Sequence, residues 1–339
     1  MAGKKRHILI IRLSALGDVA ISVPLIKEYA RENPSIEFSV LSQKFIAPLF
    51  DGVKNLHFIP FDPPKGNKGV IGVIKFASIL LQHNITEVAD IHNVHRSRII
   101  RYFLKLHGIP YKVIFKDRKS RNQLVRSRNK ILAPLKSSMQ KYEDVFVSLG
   151  LKDLGFAKRP APKRNGAREL YRRIGIAPFA KHTGKAWPFE YVEELISLLA
   201  PDSNNRIFLF GGGAKEVEQL EALASKYPNT ESVAGKYKLG EEIGFMRSLD
   251  VMVTMDSANM HLASLVQTPV ISVWGATHPY AGFYGWGQNP ADALQTDMKC
   301  RPCSIFGNKA CMRGDYACLK AITPQQVKDK IMEVSARNL

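Results

Sequence analysis

The stretch that most limits how this chain can fold is residues 250–277, DVMVTMDSANMHLASLVQTPVISVWGAT. A short apolar run (Val251–Thr254), a helix starting near Ser257 and a second buried run (Pro269–Trp274) make one β-α-β unit. Such crossovers are right-handed and leave their two strands parallel. Met255-Asp256 and Gly275-Ala276-Thr277 therefore fall on one edge of the sheet, the carboxyl edge, where open α/β sheets take ligands. Asp256 stands at the expected N-cap, followed by small Ser257 and Ala258. The free N–H groups of a helix start attract phosphate. A capped helix in a parallel sheet and an anion site are both compatible with this stretch.

The same alternation fills the rest of the chain. Strands are expected at His7–Ile11, Glu37–Leu41, Leu56–Ile59 and Glu87–Ile91, with a helix that has Asp18 in its first turn and ends near Asn33-Pro34, and others over Gly69–His83 and near Arg96–Leu106. Strands Ile174–Ala177 and Ile207–Phe210 and one near Ser232 follow, with helices from Pro188, Ala214 and Leu239. Strands alternating with helices in this way mean parallel sheets covered on both faces. Residues 152–168, rich in Pro, Gly and charge, make the best boundary. They predict domains over 1–160 and 170–322 and a closing helix in 323–339. Asp62–Gly69 is a loop rich in Pro, Gly and Lys.

The net charge of +19 calls for an anionic partner. Twelve Lys or Arg against one acid, Asp117, crowd residues 95–130, a bias that reads as an anion-binding wall. No helix-turn-helix, zinc-finger or RNA-binding signature accompanies it, against a nucleic-acid-binding protein. The N-terminal apolar run breaks at Arg12, too short for a signal peptide, and Val70–Leu81 is too short to span a bilayer. A cytoplasmic protein is expected, in peripheral contact with the inner face of the inner membrane.

Three further features carry chemistry. Asp18, in the first turn of its helix, either complements the helix dipole or faces a ligand crevice. Lys185 precedes the Pro188 helix at the end where a cation gains nothing from the dipole, which a bound anion would reconcile. Gly211-Gly212-Gly213 is a close-approach turn, but without the full G-x-G-x-x-G pattern and downstream acid it argues against a nicotinamide-dependent oxidoreductase. Cys300, Cys303, Cys311 and Cys318 cluster at spacings that leave zinc, labile disulfides or free thiols open, with a structural zinc slightly favoured.

With these residues in hand, the chain resembles the bacterial heptosyltransferases of glycosyltransferase family 9. The blocks are Arg12-Leu13-Ser14-Ala15-Leu16-Gly17-Asp18, Lys185-Ala186-Trp187-Pro188, and Gly235 through Asp256–Ala263 to Thr268-Pro269-Val270 and Gly275-Ala276-Thr277. Asp90 through Ser97 also looks like a family stretch. The resemblance implies a GT-B fold, two Rossmann-like domains with parallel sheets facing across a cleft. It also implies an inverting, metal-independent transfer, usually from ADP-heptose to the lipopolysaccharide inner core, with no catalytic cofactor. A different nucleotide sugar is the alternative. Asp18 matches the family's catalytic base, with Asp90 or His92 as substitutes if it fails. Lys185, Asp256, Ser257, Ala258, Met260, His261, Gly212 and Thr277 are expected on the donor. Arg12, Ser14, His92, Arg96, Arg98, Arg118 and Arg121 are expected on a phosphorylated glycolipid acceptor. Ala258, Ala276 and His278 depart from the family's usual Gly, Pro and Asp.

Overall fold

Buried β-branched and aliphatic runs fix the strands, and the helices between them supply the covering layers. A computed structural model describes residues 5–63, 69–158 and 171–337. The loop expected at Asp62–Gly69 and the boundary at 152–168 lie partly outside the described residues. The described chain divides into two units: residues up to Lys116 with those from Ser138 to Lys158, and Asp117–Ser137 with everything from Tyr171 onward.

The first unit runs β1 (His7–Ile11), α1 (Leu16–Glu32), β2 (Glu37–Ser42), β3 (Leu56–Pro60), α2 (Gly69–Leu80), β4 (Glu87–Asp90), α3 (His95–Leu106) and β5 (Tyr111–Val113). In the second unit, α4 (Arg118–Val125) comes next; α5 (Ser138–Ser148) then returns to the first. The first sheet has the order β3-β2-β1-β4-β5, all parallel. One face is covered by α2 and α3, whose Val73, Phe76, Leu80, Ile100 and Leu104 join Leu9, Ile11 and Leu41 in one buried cluster. On α1, Tyr29 stacks on Phe146 of α5 at 4.5 Å.

The second unit continues with β6 (Arg172–Ala177), α6 (Phe189–Leu199), β7 (Asn205–Leu209), α7 (Ala214–Ala224), β8 (Thr230–Ser232), α8 (Leu239–Arg247), β9 (Val251–Met255), α9 (Ala258–Leu265), β10 (Val270–Trp274), β11 (Ala293–Gln295), α10 (Ala317–Lys320) and α11 (Pro324–Arg337). Its sheet, β11-β10-β9-β6-β7-β8, is again all parallel. The closing helix α11 packs on α6 and buries Val327, Ile331 and Val334 in the second core, so it belongs to this unit.

Five elements escaped the sequence reading: β5, α4, α5, β11 and α10. Two are three-residue strands. Helix α4, RKSRNQLV, buries only Leu124 and so shows no apolar period. Its placement corrects the expected 1–160 domain, because 117–137 fold with the second unit. Leu124 clusters with Ala281, Phe283 and Ile305, and the Leu135 N–H donates to the Tyr280 carbonyl at 2.8 Å.

Strand order reverses once in each sheet. In the first, β1-β2-β3 run one way and β4-β5 the other; in the second, β6-β7-β8 and β9-β10-β11 do the same. The reversal opens a crevice at the carboxyl ends of the two central strands. It lies between β1 and β4 in one unit and between β6 and β9 in the other.

Candidate active site

In the first unit the crevice is built from the residues after β1 and β4, which end in register at Ile11 and Asp90. Asp18 lies in the first turn of α1. A guanidinium nitrogen of Arg12 (Nη2) sits 2.5 Å from Asp18 Oδ2, and the side chains are 8% and 34% exposed. The arginine is thus shielded while a third of the carboxylate faces outward. Arg12 Nη1 donates to the Ile91 carbonyl at 3.0 Å, and the guanidinium lies over the Tyr142 ring. Arg12, expected on the acceptor, has its guanidinium engaged by Asp18 and the Ile91 carbonyl. Ser14 lies half-buried in the turn between them.

The two substitute bases are spent. Asp90 is fully buried. Its Oδ1 accepts the N–H groups of His92 and Asn93 at 3.0 and 2.7 Å. Its Oδ2 accepts Ser97 Oγ at 3.0 Å and Arg101 Nη1 at 2.6 Å. A carboxylate with both oxygens engaged has no free edge for a substrate proton. Burial, aided by the nearby charges of Arg12 and Lys116, pushes the His92 pKa down to about 3, so the ring is neutral at physiological pH. Its Nδ1 accepts the Leu13 N–H at 3.2 Å, which places the ring proton on Nε2. That tautomer donates rather than accepts. Of Asp18 and Asp90, Asp18 is the carboxylate left exposed at this crevice.

In the second unit the crevice lies between Ala177 and Thr254, the paired ends of β6 and β9. Lys185, on the loop after β6, reaches Asp256, just beyond β9. Their Nζ and Oδ2 are 2.7 Å apart, and the side chains are 15% and 4% exposed. The contact is an ion pair without hydrogen-bond alignment, since Oδ2 has no aligned donor among the described residues. Gly307 crosses the lysine stem at φ +73°, and a Cβ there would stand 2.6 Å from Lys185 Cγ. Only glycine fits this close crossing.

Helix α9 begins beside this pair. Its N-cap is Ser257 rather than Asp256, and no side chain caps its first N–H groups. Ser257 Oγ is 3.1 Å from Thr254 Oγ1. Ser257 and Ala258 are half-buried, whereas Met260 and His261 are buried. Fully enclosed, Met260 offers a ligand no atom and serves packing. The Gly212 N–H is already taken by Glu216 Oε2 at 2.9 Å, so the glycine turn presents one donor fewer than the sequence promised. Thr277 is fully buried with Oγ1 unpartnered among the described residues.

Arg301, which sequence reasoning passed over, holds this edge together. It is buried, and burial lowers its pKa from the usual arginine range. Its Nε donates to the Gly275 carbonyl at 2.6 Å and its Nη2 to the Thr277 carbonyl at 3.1 Å. The only signal was an arginine inside a Cys-x2-Cys pair.

The basic segment is not one wall. Exposed Arg96 and Arg98 belong to α3 of the first unit. Arg118 and Arg121 belong to α4 of the second unit, a correction to their placing with the acceptor domain. The Arg121 guanidinium lies over the rings of Phe283 and Phe306 at 5.4 and 5.8 Å. Lys130 Nζ donates to the carbonyls of Cys300 and Pro302 at 2.8 and 2.9 Å. Both are spent on packing this segment down.

All four cysteines line one cavity of about 10 Å³ with Arg301 and Tyr316, and none is in a disulfide. Among the described residues no group of three or more His, Cys, Asp or Glu is arranged to hold a metal ion. The zinc expectation therefore finds a shared cavity but no ligand geometry.

The model of glycosyltransferase family 9 (heptosyltransferase) matches residues 100–309, more than half of the chain. The chain belongs to glycosyltransferase family 9. It is accordingly a glycosyltransferase. Among curated relatives, lipopolysaccharide heptosyltransferase 1 of Campylobacter coli is 26% identical, with 96% of this chain and 98% of the relative covered. A family 9 glycosyl transferase from Veillonella parvula superposes with a TM-score of 0.73 at 16% identity, covering 99% of both chains. The E. coli heptosyltransferase WaaC, solved with ADP-2-deoxy-2-fluoro heptose, superposes at 0.65 with 21% identity, covering 96% of this chain and 99% of that one. These likenesses, with the two parallel sheets, make the fold of this family 9 chain GT-B.

The ion pair of the second crevice yields a test. Lys185→Ala strips buried Asp256 of its counter-charge, a loss that costs about 3–5 kcal/mol for a buried pair. Thermal unfolding should show a clear drop in melting temperature for Lys185→Ala and recovery of most of it in Lys185→Ala/Asp256→Asn. A single variant as stable as the parent would contradict the pairing.

Proposed function

We propose that this protein transfers a heptose from a nucleoside-diphosphate donor, ADP-heptose in the first instance, to a phosphorylated lipopolysaccharide inner-core acceptor. The observation that carries the reading is the pair of crevices at the two strand-order reversals. One exposes a single carboxylate, and the other sets a lysine beside an uncapped helix start. The names of the curated relatives supply the sugar and the acceptor, and the ligand of the WaaC structure supplies the adenine nucleotide.

On this reading the donor's diphosphate meets the N–H groups of α9 and the Lys185 ammonium. A fixed cation and backbone dipoles aimed at charge growing on a leaving group lower the barrier most when they need no reorganisation. Lys185 must shift part of its attraction from Asp256 to the phosphate, and Asp256 keeps it oriented meanwhile. The acceptor hydroxyl gives its proton to Asp18 as its oxygen bonds to the anomeric carbon. The bond from that carbon to the phosphate oxygen breaks, and the nucleoside diphosphate leaves. Attack opposite the leaving group inverts the anomeric centre. Charge on the leaving diphosphate is met by Lys185 and the helix start, so the reading needs no catalytic metal.

Asp18→Asn keeps the shape and an oxygen for Arg12 but removes the proton acceptor. Turnover should fall by about 10²–10⁴, with donor affinity near the parent's and a modestly lower melting temperature as Arg12 loses its counter-charge. Turnover within a few-fold of the parent would move the base elsewhere.

The cysteine loop is proposed as a structural zinc site on the strength of the shared cavity alone. A closed four-thiolate site takes one ion. Elemental analysis of protein purified without chelator should find about one zinc per chain; metal-free protein with four titratable thiols would remove the proposal.

A further inference from the structure

Helix α2 is hydrophobic nearly all round, GVIGVIKFASIL. A helix of that composition is ordinarily buried on every side. Here only one side is: Val73, Phe76, Ala77 and Leu80 fill the core of the first unit. The outward arc carries Val70, Ile71, Ile74 and Ile79, which are 48, 64, 39 and 42% exposed. Four large aliphatic residues on one arc are more than the scattered single exposures that need no explanation. Beside it, α3 packs against α2 and exposes Arg98, Tyr102, Lys105 and Leu106, the last 85% exposed.

The charge around this face has one sign. From Gly69 to Thr86 the sequence has no Asp or Glu, and it carries Lys75. Helix α3 has no acidic residue either. Lys75 rises from the middle of the aliphatic arc, where a long stem can lie along apolar surface and lift its ammonium to a polar boundary. Aliphatic side chains on one arc with cations among and beside them are the pattern of a helix lying in a lipid interface. Basic residues near an anionic leaflet each add about 1 kcal/mol of attraction.

We propose that the outer face of α2 and α3 docks this protein onto a bilayer of anionic lipid. A second copy of the chain fits the face poorly, because a two-fold contact sets each patch against itself and would press Lys75 and Arg98 against like charges. Topology adds a consequence that rests on the transferase reading. Helices α2 and α3 start at the carboxyl ends of β3 and β4, and Asp18 follows β1 at the same edge of the same sheet. Docking by this face leaves that edge uncovered beside the bilayer, open to a membrane-anchored acceptor.

The test is co-sedimentation of the full chain with vesicles of phosphatidylcholine alone and of phosphatidylcholine mixed with phosphatidylglycerol. The parent should bind the mixed vesicles and largely ignore the neutral ones. Ile71→Ser/Ile74→Ser should bind the mixed vesicles about tenfold more weakly or worse, as expected when two aliphatic side chains no longer enter the interface. It should keep the parent's melting temperature, because both positions are exposed. Equal binding by parent and variant, or no preference of the parent for anionic vesicles, would overturn the proposal. So would light scattering that shows a dimer which the double substitution dissolves while vesicle binding is absent; the face would then join two copies. Vesicle binding is read without sugar transfer, so a failed transferase reading and a failed docking proposal give separate results.

Discussion

The transferase reading of this molecule depends on where a parallel sheet reverses its strand order. Adjacent crossovers on opposite faces part at that point, and the carboxyl ends of the two central strands are left uncovered. Each unit has one such reversal, and each places a candidate functional residue there. Asp18 follows β1 beside β4, and Lys185 follows β6 beside Asp256 beyond β9. Packing of the two cores, through Leu9, Ile11 and Ile100 in one and Ile176, Val253 and Val273 in the other, holds these ends in position.

Charge is handled alike at both crevices. Each exposes one member of an oppositely charged pair more than the other: Asp18 more than Arg12, Lys185 more than Asp256. A shielded partner fixes the direction of the accessible one, and removing it strands a charge in a poorly solvated place. Shielded cations without carboxylate partners go to carbonyls instead, as Arg301 does at Gly275 and Thr277. The buried loop after β10 is thereby fixed in place.

The sequence revealed the long periodic elements because their apolar spacing is set by burial. The β-α-β unit of β9, α9 and β10 lies within a residue or two of its expected bounds. Asp18, Lys185 and Asp256 could be located from the same pattern: Asp18 in the first turn of α1, Lys185 in the loop between β6 and α6, Asp256 just past the end of β9. What stayed hidden had no period to show. Helix α4 is fixed to the second unit by one buried leucine and by contacts far along the chain, from Leu135 to Tyr280 and from Lys130 to the cysteine loop. A run of basic residues therefore read as one wall, although it divides between two units. The roles of Arg12, Asp90 and His92 depend on which oxygen or nitrogen is already occupied, and only geometry supplies that.

The central claim is that the second unit binds a nucleoside diphosphate at the crevice between β6 and β9. Thermal unfolding of the full chain with ADP, GDP, UDP or NAD tests it most directly, because a ligand that binds only the folded state stabilises it by mass action. ADP at about 100 times its dissociation constant should add about 2.7 kcal/mol, with GDP, UDP and NAD giving less. A chain that ignores all three nucleoside diphosphates, or answers NAD alone, would contradict the account.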